Sequence, residues 1–265
     1  MAFVKHVPVL IPGSVWYLVA ITPWQKRCGD EDKMSTAVDK TKLRLLPVFA
    51  GMDEAAFDQL FGQAIHRAVP KGSAVFKQGE EAHHFFLLLK GRLKVMQVTA
   101  DGQQIIVRVV NPGDLFGFAL ALGRRDYPAT PVAAVDSAIL AWPMSMMTEF
   151  MAHNPAFAVN AMQMIGRRLD AAHSRIREIS TQEVEQRVAH AVLRLVREAG
   201  VEDVGGMRID FPVSRQDIAE LTGTTLHTVS RIVSQWQSKG WVEGGRQTLL
   251  VRDLRRLKII AEDES

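Results

Sequence analysis

The chain holds one cysteine, Cys28, in 265 residues. A single thiol excludes an internal disulfide, a four-thiolate cluster and a zinc finger built within one chain, and nothing here asks for an oxidising compartment. The expected location is the cytoplasm. Long clean apolar runs are also missing. Phe3 to Thr22 is apolar and aromatic, but Lys5, His6, Pro8, Pro12 and Gly13 interrupt it, so it does not read as a membrane span. No small-x-small site precedes Trp24-Gln25-Lys26-Arg27, which leaves a signal peptide poorly supported. Net charge is low as well, at a formal +3. What remains is ordinary: 47% apolar and 23% charged residues, enough chain for two modest domains with real cores.

The most informative stretch is Ser214–Gly240. Ser214 with Asp217 three residues on is a capping-box pattern, opening a helix whose Ile218 and Leu221 share a face. Gly223 breaks it. Thr224 or Thr225 then caps a second helix, in which Leu226, Val229, Ile232, Val233 and Trp236 recur at helical spacing. That is a helix-turn-helix pattern. Off its apolar stripe lie His227, Ser230, Arg231, Ser234 and Gln235, types that hydrogen-bond base edges and phosphates in a major groove. Trp241–Glu243 and Thr248–Val251 follow as two short strands about Gly244-Gly245-Arg246-Gln247, as in a wing. Between residues 207 and 260 there are nine Lys/Arg against five Asp/Glu, a local +4 in a chain of +3, so positive charge gathers where a phosphate-binding surface needs it. The expected partner is double-stranded DNA.

Elsewhere the pattern changes twice. Residues 1–33 do not match the rest and read as an extension, disordered or outside the natural protein, with Met34 as its start. From Lys42 to Ile65 apolar residues fall in helical groups, with Asp53 a plausible cap. From Val69 to Trp142 the period becomes two, with turn residues every few positions. Short runs at 74–76, 85–89, 93–98, 104–110, 132–134 and 138–142 predict the strands of a small jelly roll enclosing a pocket. Pro155 then opens a long helix. Its Ala158, Met162, Ile165, Leu169, Ala172, Ile176 and Ile179 alternate spacings of four and three, an a/d seam that predicts a parallel homodimer. Ser180 with Glu183 reads as a second capping box and a hinge, and a helix over 182–198 leads through Gly205-Gly206 into the DNA-binding part. The fold class is therefore α+β: a β-roll sensor over 34–154, a dimerisation helix and hinge over 155–180, and a winged helix-turn-helix over 181–265.

This order of parts resembles the CRP/FNR family of bacterial transcription regulators over roughly Leu43 to Ala261. Gly79-Glu80-Glu81, Lys90-Gly91, Pro112-Gly113-Asp114 and above all Ser214–Arg231 carry the likeness. The run Thr224–Arg231 with Glu243–Gln247 looks like the nitric-oxide-responsive, NnrR-like branch. The resemblance implies a palindromic site read by a dimer, an activator's role and RNA polymerase as a further partner. It also implies that Arg231 grips a guanine of a TTG-type half-site beside Ser230, with His227 where the family commonly has glutamate. Thr225, Thr228, Arg215, Lys239 and Arg246 are the phosphate candidates. In the roll, cyclic-AMP receptors clamp the sugar with a glutamate and the phosphate with an Arg-Ser pair. Here Phe118 stands at the first position and Pro128 and Ala129 at the pair, so cyclic AMP is not the expected ligand unless Arg124 or Arg125 substitutes. An iron–sulfur cluster is excluded by the lone cysteine. Haem is open, with His83 and His84 as candidate ligands.

An enzyme is the competing class. A metal-dependent jelly-roll enzyme of the cupin type needs a His-x-His pair with a nearby carboxylate, whereas the adjacent His83 and His84 would point to opposite faces of a strand. No catalytic triad pattern and no phosphate-cradling glycine loop occur either.

Overall fold

The structure, a computed structural model, describes residues 40–119 and 123–262; the reading of residues 1–33 lies outside the described residues. Chain order runs from α1 (Lys40–Arg44), a 3-10 turn (Pro47–Phe49) and α2 (Glu54–Gly62) into seven strands. These are β1 (Ile65–Val69), β2 (His84–Lys90), β3 (Leu93–Val98), β4 (Gln104–Val110), β5 (Leu115–Phe116), β6 (Thr130–Ala133) and β7 (Ser137–Pro143). They form two sheets, ordered β1-β7-β2-β5 and β4-β3-β6, which make the roll.

Strand β2 shows how sequence becomes packing. Phe85, Phe86, Leu87 and Leu88 are all fully buried, because the two faces of this strand enter two different cores. Phe86 and Leu88 point into the roll interior with Phe116, Ile139 and Ala141. Phe85 and Leu87 point outward, beneath Leu60, Trp142, Phe150 and Phe157 of the covering helices and β7. Each such side chain contributes roughly 1.5–3 kcal/mol of burial. Trp142 also keeps its polar atom satisfied, donating from Nε1 to Leu60 O at 2.7 Å.

Helices α3 (Ser145–His153) and α4 (Pro155–Thr181) follow the roll. With Pro155 in its first turn, α4 runs 27 residues. Phe157 and Ala161 are buried near its start, and Asn160 donates to Ala50 O at 2.7 Å. Further along, Met162, Leu169, Ile176 and Ile179 are 58, 55, 61 and 50% exposed, an apolar line left largely open in a single chain. Ala158 and Ile165 of the same line are half-buried, and Ala172 is exposed.

The remainder is α5 (Val184–Ala199), β8 (Gly200–Asp203), β9 (Gly206–Ile209), α6 (Arg215–Thr222), α7 (Leu226–Ser238), β10 (Val242–Gly244), β11 (Leu249–Val251) and α8 (Leu254–Glu262). One sheet, ordered β10-β11-β9-β8, joins the wing to the hairpin before α6.

Several local expectations are corrected. Residues 74–76 form no strand, only an isolated bridge from Ala74 to Val132. Ile65 opens β1 instead of closing a helix, since β1 must pair with β7 along its whole length. Ser180 stays helical: its hydroxyl donates back to Ile176 O at 2.8 Å, so the break falls two residues later at Gln182. The capping box there is Glu183 with Gln186. Gly205-Gly206 is a hairpin corner and not a linker. Gly206 lies so close to β11 that a Cβ would meet Val251 O at 2.3 Å.

Candidate DNA-binding face and interdomain cavity

Helix α6 starts on the capping box its sequence predicts. Ser214 Oγ accepts from the Asp217 N–H at 3.1 Å, and Asp217 Oδ2 accepts from the Ser214 N–H at 2.7 Å. It stops at Gly223, whose φ of 63° is the left-handed conformation that glycine adopts most freely. Thr225 then caps α7, accepting from the Thr228 N–H at 3.2 Å. Val229, Ile232, Val233 and Trp236 are buried beneath α7, and Trp236 Nε1 donates to Glu185 Oε1 at 2.8 Å, fixing the helix on α5.

The opposite face of α7 is left to solvent. His227, Arg231, Ser234 and Gln235 are exposed, and Ser230 and Thr228 are half-buried beside them. These side chains are of the donor types that hydrogen-bond base edges and phosphates in a major groove. The phosphate candidates divide. Arg246 is exposed on the loop between β10 and β11. Lys239 lies at the end of α7 with Nζ 4.5 Å from the Trp241 ring centre, and Arg256 approaches the same ring at 4.9 Å. Arg256 was not singled out in the sequence; a basic residue on α8 meets Trp241 only through the fold. Arg215 is placed differently from expectation. Its guanidinium reaches across to α7, 2.8 Å from Gln237 Oε1 and 3.2 Å from Ser234 Oγ, so it clamps the two helices together.

A cavity of about 810 Å³ lies where the roll, α4 and the DNA-binding part meet. Phe118 and Ala129 line it from the roll and are buried, and Pro128 lines it at the surface. Arg124 and Arg125 do not line it, contrary to expectation. Arg124 turns to Asp126, 3.0 Å away, and Arg125 is exposed. Ala172, Ile176 and Ile179 of α4 line another side, as do Leu195 of α5 and Leu221 of α6. Three basic side chains also stand in its wall, Arg108 from β4 and Arg168 and Arg175, two turns apart, from α4; no local motif marks them in the sequence.

Two contacts tie the roll to the helix-turn-helix beside this cavity. Lys94 on β3 pairs with Asp217 on α6 at 2.7 Å. Arg175 on α4 donates to Val107 O of β4 at 2.8 Å and also to Leu221 O of α6. One guanidinium thus binds three elements.

The two histidines lie elsewhere. His83 is exposed, with Nε2 3.7 Å from Glu81. His84 is half-buried on β2 near Phe86, and burial, then the neighbouring His83 and Arg67, hold its pKa below the usual imidazole value. Neither lines the cavity. Among the described residues no histidine, cysteine, methionine or tyrosine does, so the wall offers none of the usual axial ligands of haem. The described residues also contain no group of three or more His, Cys, Asp and Glu placed to hold a metal ion, and no helix among them is long and apolar enough to cross a membrane.

Known proteins bear on both halves. Residues 66–154 match the cyclic nucleotide-binding domain model and residues 186–260 match the Crp-like helix-turn-helix domain model, together well over half of the chain. The cyclic AMP receptor protein of Thermus thermophilus is 28% identical over 215 residues, covering 81% of this chain and 96% of the relative. The CRP-like cAMP-activated global transcriptional regulator of Mycobacterium tuberculosis is 24% identical, covering 79% and 94%. FixK2 from Bradyrhizobium japonicum shares the fold, with a TM-score of 0.67 at 22% identity over 76% of this chain and 99% of that one. With a cyclic-nucleotide-binding roll, a long helix and a Crp-like helix-turn-helix in that order, this chain belongs to the CRP/FNR family of DNA-binding transcription regulators.

Proposed function

We propose that the protein is a homodimer that reads a palindromic TTG-type site and changes its DNA affinity when a small molecule occupies the cavity. The observation that carries this reading is the make-up of the cavity wall: roll strands on one side, α4 on another, α5 and α6 of the DNA-binding part on a third. An occupant that prefers one arrangement of these parts shifts the balance between DNA-competent and incompetent dimers by its difference in affinity for the two. The exposed line Met162, Leu169, Ile176 and Ile179 supports the dimer, since four large apolar side chains at a/d spacing need a partner helix. Arg231 and Ser230 on α7 are the proposed base readers, with His227 opposite a further base. Thr225, Thr228, Lys239 and Arg246 are the proposed phosphate contacts, and Arg215 supports them from behind. Location in the cytoplasm and contact with RNA polymerase follow from this reading.

The Thr224–Arg231 run supports a place in the NnrR-like branch, and hence nitric oxide as a signal. Haem in the cavity does not fit the residues there, since none of its described lining residues is a usual axial ligand. Cyclic AMP is the second reading, favoured by the names of the two relatives; Pro128 and Ala129, where a phosphate clamp would stand, weigh against it. The test is DNA binding by the purified dimer, followed by fluorescence anisotropy on a duplex selected from a random pool. A selected palindrome whose affinity shifts with an added small molecule supports the proposal. A monomer, or a dimer that selects no symmetric site, sinks it. Adding cyclic AMP decides the second reading in the same cuvette, and a haem titration with and without nitric oxide, read in the Soret region, decides the haem one.

A further inference from the structure

Arg168 brings a cation into a mainly apolar cavity. Its Nη2 donates to Leu115 O and lies 3.5 Å from the Met164 sulfur, and its Cζ stands 4.9 Å from the centre of the Phe118 ring. Nε and Nη1 have no partner among the described residues, and no described carboxylate pairs with this guanidinium. Its arginine neighbours are differently supplied. Arg108 faces Asp114 at 3.6 Å, Arg194 faces Glu178 at 2.6 Å, and Arg175 is bonded to backbone carbonyls. The acids that line the cavity, Glu198 and Glu220, belong to α5 and α6 and neither pairs with Arg168. Burial, with Arg108 and Arg167 adding repulsion and Asp114 opposing it from a distance, holds the Arg168 pKa down to about 9. A partly buried charge of this kind is stabilised by an anion placed against it, and a carboxylate accepts a charge-assisted bond from a free guanidinium N–H.

We propose that the cavity takes an organic monocarboxylate with an apolar body, its carboxylate on a free nitrogen of Arg168 and its body along Phe118, Val109 and Leu195. This rests on reading the cavity as the signal site and names the class of signal. A neutral apolar molecule would leave the Arg168 guanidinium unpaired; a phosphate dianion would need a second cation, and Arg175, the other described arginine of the wall without a carboxylate partner, is already held by Val107 O and Leu221 O. The volume, about 810 Å³, falls in the range of roughly 300–1,000 Å³ that small organic ligands occupy and far exceeds what a diatomic gas needs.

The experiment uses the full chain with octanoate and 4-phenylbutyrate as probes, octanol and octanamide as neutral counterparts, and isothermal titration calorimetry as the readout. Saturable binding of at least one acid is expected, about tenfold or more tighter than its neutral counterpart, as a charge-assisted pair provides. Arg168→Gln should lose that preference, and Arg168→Lys should restore most of it. Equal binding of octanol or octanamide, indifference to Arg168→Gln, or no saturable binding of either acid overturns the proposal. The wild-type comparison of acid with neutral counterpart holds even where a variant fails to fold. Ala129→Phe, which fills the cavity from the roll side, separates the two levels. If no acid binds but Ala129→Phe shifts DNA affinity, the signal site stands and the ligand class is wrong. If it changes nothing, both fall.

Discussion

Lys94 Nζ stands 2.7 Å from Asp217 Oδ2, and that same carboxylate oxygen accepts from the Ser214 N–H and closes the capping box of α6. A roll residue therefore completes the charge balance of the first helix of the DNA-binding motif. The two side chains are only 17 and 16% exposed, which places the pair between a surface ion pair and a buried one. Lys94→Met should destabilise the chain by about 2 kcal/mol, intermediate between roughly 0–1 for exposed pairs and roughly 3–5 for broken buried ones. Urea unfolding of both single variants and of the double variant with Asp217→Asn checks it; additive effects would show that the pair is not coupled. DNA affinity should move in the same variant, because the contact restrains α6.

Arg231→Ala should abolish preference for the selected palindrome, at a cost of roughly 1–3 kcal/mol per half-site, while salt-sensitive nonspecific binding persists. Footprinting on the selected duplex, alongside a scrambled one at several salt concentrations, reads both. A variant that still protects the same site would remove Arg231 from base recognition.

Leu169→Arg places a charge in the middle of the exposed line on α4. Since Leu169 is 55% exposed in the single chain, the fold of the subunit should survive and the dimer should not. Sedimentation velocity should find monomer, with circular dichroism unchanged. An intact dimer would put the subunit contact elsewhere.

Glu220 carries a pH signature. Burial raises the pKa of its carboxyl first, Asp217 raises it further, and the Gln216 hydrogen bond and Lys94 lower it. The folded chain thus holds this proton more tightly than the unfolded chain does. Ionised Glu220 opposes folding, and that penalty is absent at pH values below its unfolded pKa and grows as pH rises through the folded one. Glu220→Gln, which can keep the contact with Gln216, should therefore raise Tm at pH 7 and leave it nearly unchanged near pH 4. Melting curves across that range test the sign; a variant less stable at pH 7 would contradict it.

What could be read in the chain alone was whatever neighbouring residues settle among themselves. The Ser214–Asp217 box, the stop at Gly223, the Thr225 cap and the stripe from Val229 to Trp236 each depend on atoms within a few residues of one another, so spacing was enough to give a helix-turn-helix. Strands 93–98 and 104–110 were legible to the residue for the same reason, as alternation is a local signal. The exposed apolar line of α4 was legible because a single helix face repeats itself. Contacts across the fold were not. Arg215 has the look of a phosphate ligand in the sequence, yet Gln237 and Ser234 hold its guanidinium; Arg124 looked available to the cavity, yet Asp126 holds it. The pairing of Lys94 with Asp217, 123 positions apart, and the arrival of Arg168 beneath Phe118 depend on how the roll, α4 and α6 pack. Long-range packing brings these groups together, so the cavity and its unpaired charge belong to the tertiary structure, while the DNA-reading motif was already written in local spacing.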